Sequence, residues 1–172
     1  MFFQKETERF VIKTLIEEDV GQEYLSWFNQ KNVKDYIYYK LNEHDRFEDL
    51  KRYVAEKSKD KDVIFLGVFN KDNIKEHIGN IKFEPVDVVN KTAVVGILIG
   101  NEKWRGKGVG GEALDGAHSI IRNLGVVKVF LGVEKTNDKA IRLYERCGYE
   151  YDESNYLKLD LDQCYCMFKI LK

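Results

Sequence analysis

Gly106, Gly108, Gly110 and Gly111 fall within six residues, beside Arg105 and Lys107 and just ahead of an amphipathic run. Glycines at such a density let the main chain approach a ligand closely and adopt positive φ. A helix starting near Gly110 aims unpaired N–H groups and the positive end of its dipole into that loop. The chemistry this suits is capture of a phosphate or pyrophosphate, with Arg105 and Lys107 supplying charge. A Walker loop is excluded, because Gly106-Lys107 is followed by Gly108 rather than Ser or Thr, and position 101 is Asn101. The dinucleotide fingerprint fits on paper through Gly106, Gly108 and Gly111, with Glu134 as the ribose-binding acid. It takes second place: the preceding strand stops at Gly100, well before the first glycine, and too little chain follows Glu134 for a doubly wound sheet.

The elements that must position this loop follow from hydrophobic period. Residues 8–15 alternate as a half-buried strand does. Val20, Tyr24, Trp27 and Phe28 recur at helical spacing behind the acidic turn Glu17-Glu18-Asp19, and Phe47, Leu50 and Val54 mark a second helix. Strands are expected at 63–69, 77–84 and 92–100, with a turn near Pro85–Asn90; their short polar connections imply an antiparallel meander. After the glycine loop, Ala113, Leu114, Ala117, Ile120, Ile121 and Leu124 share one helical face that stops at Gly125. A buried strand at 126–133, a helix at 138–147 ending at Gly148, and strands near 156–160 and 163–171 complete the chain. The expected fold is a single α/β (α+β) domain over residues 1–172, with a mixed, mostly antiparallel twisted sheet flanked by helices.

Two segments carry a resemblance. Arg105-x-x-Gly108-x-Gly110 is similar to the R/Q-x-x-G-x-G/A loop of the GNAT acetyltransferases. Residues 137–149, from Asn137-Asp138-Lys139-Ala140 through Leu143-Tyr144-Glu145 to Gly148-Tyr149, resemble that family's N-x-x-A-x-x-L-Y-E-x-x-G-F/Y segment. Loop, helix, strand and second segment stand in the family's order from about Val94 to Tyr151. Trp27-Phe28-Asn29, Ile78-Gly79-Asn80-Ile81-Lys82 and Val95–Gly100 are similar to the branch holding ribosomal-protein N-terminal, polyamine and amino-sugar acetyltransferases.

The resemblance implies acetyl transfer from acetyl-CoA to a primary amine, by direct attack in a ternary complex. It implies that the loop Arg105, Gly106, Lys107, Gly108, Val109 and Gly110 holds the pyrophosphate, and that the backbone of Ile97, Leu98 and Ile99 pairs with the pantetheine amides. Asn137 and Lys139 join the cofactor side, and Tyr144 is the general acid for the departing thiolate. Trp27, Asn29 and Asn80 are expected on the acceptor side. The glutamate base that several relatives carry falls here on Gly132, so the base is open among Glu134, Glu84, Asp87 and His77. An amine of low pKa, as on some sugars, needs little help to lose its proton.

Tyr36, Tyr38 and Tyr39 add to an aromatic N-terminal region suited to an amino-sugar nucleotide, the first acceptor considered. A protein N-terminal α-amine and a polyamine follow, and a silent acyl-CoA-binding module is the rival from another class. His44, His77 and His118 lack metal-ligand spacing, so no metal is expected. Cys147 has no evident base to make it an acyl carrier. Three cysteines cannot form a disulfide framework and point to a reduced, cytoplasmic setting. Lys+Arg 28 against Asp+Glu 29 gives a net charge of -1, which argues against a nucleic-acid partner. No apolar run approaches a membrane span. A homodimer is compatible with the chain.

Overall fold

A computed structural model describes residues 2–28 and 46–172. Eight strands form one mixed sheet in the order β1-β2-β3-β4-β5-β6-β8-β7. The first five are an antiparallel meander: β1 (Gln4–Glu6), β2 (Phe10–Thr14), β3 (Ile64–Asn70), β4 (His77–Asp87) and β5 (Thr92–Ile99). Between β2 and β3 lie α1 (Gln22–Trp27) and α2 (Arg46–Lys59). The chain then crosses through α3 (Val109–Asn123) to β6 (Lys128–Glu134), which runs parallel to β5. Last come α4 (Asp138–Arg146), β7 (Glu150–Tyr151) and β8 (Cys164–Ile170), which closes antiparallel against β6.

The sheet is buried on both faces, by different helices. Ala113, Leu114, Ala117 and Ile121 of α3 pack with Ile12, Ile81, Phe83 and Val129 in one core. On the other face, Tyr24 and Trp27 of α1 and Leu50 and Val54 of α2 cover Leu15, Phe65 and Phe69. Strand alternation feeds the two cores from the same strands. Ile97 and Ile99 turn toward the first core and Leu98 toward the second.

Two sequence expectations are corrected and one strand is added. Residues 156–160 are turn and irregular backbone, not a strand, because side chains there satisfy the backbone. Asn155 donates through Nδ2 to the Leu159 carbonyl at 2.8 Å and accepts from the Leu159 N–H at 2.9 Å, while Asp152 accepts from the Tyr156 N–H at 2.8 Å. The strand on the side of β8 away from β6 is the two-residue β7. β4 runs on through Pro85 to Asp87 across a bulge, so the expected turn is shorter. The short polar β1 has no hydrophobic alternation and was not foreseen. No helix among the described residues is long and apolar enough to cross a membrane.

Candidate active site

β5 and β6 pair only from Thr92–Val94 to Lys128–Phe130, then part. β4 stays paired with β5 up to Ile99, so the gap opens on one side of β5 alone. The Gly100 N–H donates to the Ile78 carbonyl of β4 at 3.1 Å. By antiparallel alternation, Leu98 also turns its backbone groups toward β4, and Ile97 and Ile99 turn theirs into the gap. Of the three residues expected to meet pantetheine, Leu98 is therefore occupied within the sheet. The gap leads into a cleft of about 2490 Å³ that runs from the glycine loop to α1 and α2.

The loop sits at the mouth of the gap. Gly106 and Gly108 have φ of +73° and +77°, the left-handed region that glycine enters without strain. Gly108 is the N-cap of α3, and the first helical hydrogen bond runs from the Glu112 N–H to its carbonyl. The N–H groups of Val109, Gly110 and Gly111 are thus left pointing into the loop, as an anion cradle requires. Gly110 has a packing reason as well: a Cβ there would press on Leu143 of α4 at 2.8 Å, so its absence lets α3 and α4 approach.

The two cations of the loop are placed differently. The Arg105 side chain folds back, donating through Nε to the Ile99 carbonyl at 2.9 Å and through Nη2 to that of Gly100 at 3.3 Å. It braces the end of β5 while lining the cleft. Lys107 does not line the cleft; its ammonium lies 5.9 Å from the Trp104 ring centroid. Its carbonyl is held by Arg9 Nη1 at 3.0 Å. Sequence reasoning missed this clamp. Glu112 of α3 accepts from Arg9 N and Nε, each at 2.8 Å, and from Thr7 Oγ1 at 2.6 Å, tying the β1–β2 turn to the loop. These hydrogen bonds help hold the Glu112 carboxyl below its usual range, against the opposing effect of burial. Arg142 and Arg146 of α4 also line the cleft, joining exposed Lys139 as charges facing it. Their spacing of four on one helix face was the available signal.

Asn137 caps α4, its Oδ1 accepting from the Ala140 N–H at 3.2 Å. Two turns on, Tyr144 lines the cleft with only 7% of its surface exposed. Its ring stands 5.7 Å from that of Tyr149, whose hydroxyl meets His118 Nε2 at 2.8 Å. Burial, with Cys147 adding to it, pushes the Tyr144 phenol up to about 12. The phenol keeps its proton at any ordinary pH and is a donor.

The sequence matches the acetyltransferase (GNAT) domain over residues 9–150. The chain belongs to the GNAT family. Its fold is shared by a spermidine N-acetyltransferase from Vibrio cholerae in complex with CoA and spermine, at 20% identity and a TM-score of 0.77, covering 96% of this chain and 97% of that one. A putative ribosomal-protein-serine acetyltransferase from Vibrio cholerae is 15% identical with a TM-score of 0.77, covering 98% and 97%. RimL, a ribosomal L7/L12 alpha-N-protein acetyltransferase, is 13% identical with a TM-score of 0.78, covering 99% and 95%. No curated protein matches the sequence. As a GNAT acetyltransferase, the chain takes acetyl-CoA as acyl donor. The cradle of α3 N–H groups, the open edge of β5 and the cations of α4 fit that donor's phosphates and amides.

The far half of the cleft lies on the α1–α2 face of the GNAT sheet. Two rows cross it: Phe65–Lys82–Gly96 and Gly67–Asn80–Leu98. Tyr24, Phe28, Tyr53, Glu56 and Lys57 stand over them. Lys82 donates to Tyr53 Oη at 3.0 Å and pairs with Glu84 at 2.6 Å, and Lys57 pairs with the same carboxylate. Asn80 does line the cleft, as expected. Trp27 does not: it is 1% exposed, packed over Gly100, where a Cβ would overlap its indole. It belongs to the core. Asn29, Tyr36, Tyr38, Tyr39 and His44 lie outside the described residues.

Of the four base candidates, Glu134 is the one that lines the cleft. Glu84 is committed to its two lysines, and those partners outweigh burial to lower its carboxyl. Asp87 caps the β4–β5 turn through Asn90. His77 is walled in by Tyr24, Trp27 and Phe69, and burial lowers it to about 4. Gly132 lies in the cleft wall against Leu159.

Proposed function

We propose that this GNAT acetyltransferase acetylates the primary amine of a small molecule, with an amino-sugar nucleotide as the first candidate. The observation that carries this reading is the balance of the acceptor half. Its described lining offers aromatic faces from Tyr24, Phe28, Tyr53 and Phe65, and its charges balance, Glu56 standing with Lys57 and Lys82, which share the Glu84 carboxylate. A polyamine, the substrate named for one structural neighbour, calls for a surplus of carboxylates, since each ammonium needs an opposite charge or water. Aromatic faces with hydroxyl and N–H donors, and no surplus of carboxylates, suit a sugar ring and its oxygens.

Acetyl-CoA supplies the thioester. The N–H groups of Val109, Gly110 and Gly111 hold its pyrophosphate, and Ile97 and the Ile99 N–H offer backbone partners along the gap, the Ile99 carbonyl being held by Arg105. Asn137 and Lys139 flank the same route. The Tyr144 hydroxyl donates toward the sulfur as negative charge develops there, and the neutral amine attacks the carbonyl directly. A weakly basic sugar amine arrives largely neutral, which suits a cleft in which Gly132 stands where relatives carry a glutamate. The amine's proton leaves to water or to Glu134.

Thiol release from acetyl-CoA, measured against UDP-glucosamine, spermidine and a short peptide with an unblocked N-terminus, tests the acceptor. UDP-glucosamine should give the highest kcat/KM. Preferential turnover of spermidine, or of the peptide, refutes the amino-sugar reading while leaving the acetyl-CoA half intact.

A further inference from the structure

His77 opens β4 beneath α1, with 5% of its surface exposed. Its ring stacks on Phe69 at 4.6 Å and stands edge-on to Tyr24 at 5.2 Å. Nε2 lies 3.1 Å from the Gly79 carbonyl and 2.8 Å from Asn80 Oδ1, whereas Nδ1 is buried without a partner. These distances settle the tautomer. A carbonyl oxygen can only accept, so Nε2 carries the proton and Nδ1 the lone pair. The Asn80 atom beside Nε2–H must then also be an acceptor, which fixes the amide with Oδ1 inward.

The consequence falls in the cleft. With Oδ1 engaged, the Asn80 Nδ2 group is turned away from His77 and donates to the Tyr24 hydroxyl oxygen, with a second N–H beyond that bond. It stands close enough to the Tyr24 phenol to act on its acidity, and burial holds that phenol protonated. Both side chains line the acceptor half of the cleft, beside Leu98 of β5. The site thus presents donors from two side chains where the acceptor must lie.

We propose that His77 is a positioning residue: it locks the Asn80 amide so that Asn80 Nδ2 and the Tyr24 hydroxyl together bind an oxygen atom of the acceptor, a hydroxyl, carbonyl or phosphoryl oxygen near the reacting amine. This rests on the cleft being the acceptor site of an acetyltransferase, though not on the amino-sugar assignment. Polyamines offer no such oxygen, so the donor pair selects against them.

His77→Phe keeps an aromatic ring on Phe69 and removes the donor to Asn80. Its melting temperature and far-UV circular dichroism identify a folded variant, and Asn80→Ala supplies a second, with His77 intact. In the wild type, 15N NMR of the imidazole should report the Nε2–H tautomer. The Asn80 side-chain amide should give one distinct pair of signals, which in His77→Phe moves to the averaged position of exposed asparagines. On each oxygen-bearing amine that the wild type turns over, drawn from UDP-glucosamine and a serine-initiated peptide, the acceptor KM should rise about three- to tenfold in either variant. The double variant should be no worse than the single ones. The acetyl-CoA KM should stay within about twofold, since His77 lies off that half; its loss would impeach the acetyltransferase reading rather than this one. An Nδ1–H tautomer, an unmoved Asn80 amide in folded His77→Phe, or an unchanged acceptor KM overturns the proposal. The two NMR measurements need no acceptor, so they decide even if neither amine is turned over.

Discussion

Replacing Tyr144 by Phe deletes one oxygen from a side chain that is 7% exposed and whose hydroxyl has no hydrogen-bond partner among the described residues. Because no hydrogen bond is lost and the ring keeps its place beside Tyr149, stability should change by less than about 1 kcal/mol. The effect on turnover follows from acidity. A thiol of ordinary pKa near 8.5 leaves as a much weaker base than the anion of a phenol held at about 12. Complete transfer of the phenol proton to the sulfur is therefore uphill by about 3.5 pKa units, or about 5 kcal/mol. Tyr144 then works mainly by a hydrogen bond to the developing thiolate, worth about 1.5–3 kcal/mol for a charged partner. That predicts a fall in kcat of roughly 10- to 150-fold, toward the low end of full general acid catalysis or below it. Single-turnover thiol release with saturating acetyl-CoA measures it, and acetyl-CoA affinity should barely move. A fall beyond about 10³-fold refutes the argument from acidity. Unchanged turnover in a folded variant removes Tyr144 from the reaction altogether.

Gly108→Val places a branched residue at a φ of +77°, costing about 1–2 kcal/mol, and crowds the cradle; acetyl-CoA binding by calorimetry should collapse while circular dichroism stays native. Glu112→Ala breaks the Arg9–Thr7 clamp and strips the Arg9 N–H of its acceptor, so thermal denaturation should report a loss of about 2–3 kcal/mol, with a raised acetyl-CoA KM. Burial lowers His77 to about 4 and His118 to about 3, so both stay neutral in the fold while the unfolded chain binds their protons below about 6.5. Their contribution to stability is therefore complete above that pH and declines as pH falls toward 4. Urea midpoints at pH 8, 6 and 5 should show the decline, and His118→Phe should flatten it; a midpoint independent of pH would falsify the assignment.

The parts of the site legible in the sequence are those where backbone geometry itself dictates the residue. Gly106 and Gly108 must take positive φ, and Asn137 must cap a helix, so both motifs survive as written. What escaped detection depends on a neighbour distant in the chain. Trp27 is buried because Gly100 has no side chain to keep its ring away. Lys107 is missing from the cleft lining, its carbonyl held by Arg9 and its ammonium near the Trp104 ring. The Arg9–Glu112 pair joins the first turn of the meander to the helix that follows it, and neither position hints at the other. The run near 156–160 reads as alternating, yet Asn155 and Asp152 bend it through side-chain hydrogen bonds. At the level of the fold, the meander was readable because its strands are neighbours in sequence. The two-residue β7 and the apolar-poor β1 were too short to leave a period.

The parting of β5 from β6 has a consequence for how ligand-free copies of the protein treat one another. A strand edge with unpaired amides is a template for any passing chain, and proteins commonly blunt such edges at the rim of a sheet. Here the raw edge lies in the interior of the sheet, along Val95–Ile99, flanked by apolar side chains. Because the seam is closed at Val94 and Phe130 and widens from there, an intruding strand must enter by its end rather than settle alongside. The wedge shape is thus its own guard, admitting a slender amide-bearing molecule and resisting a second polypeptide.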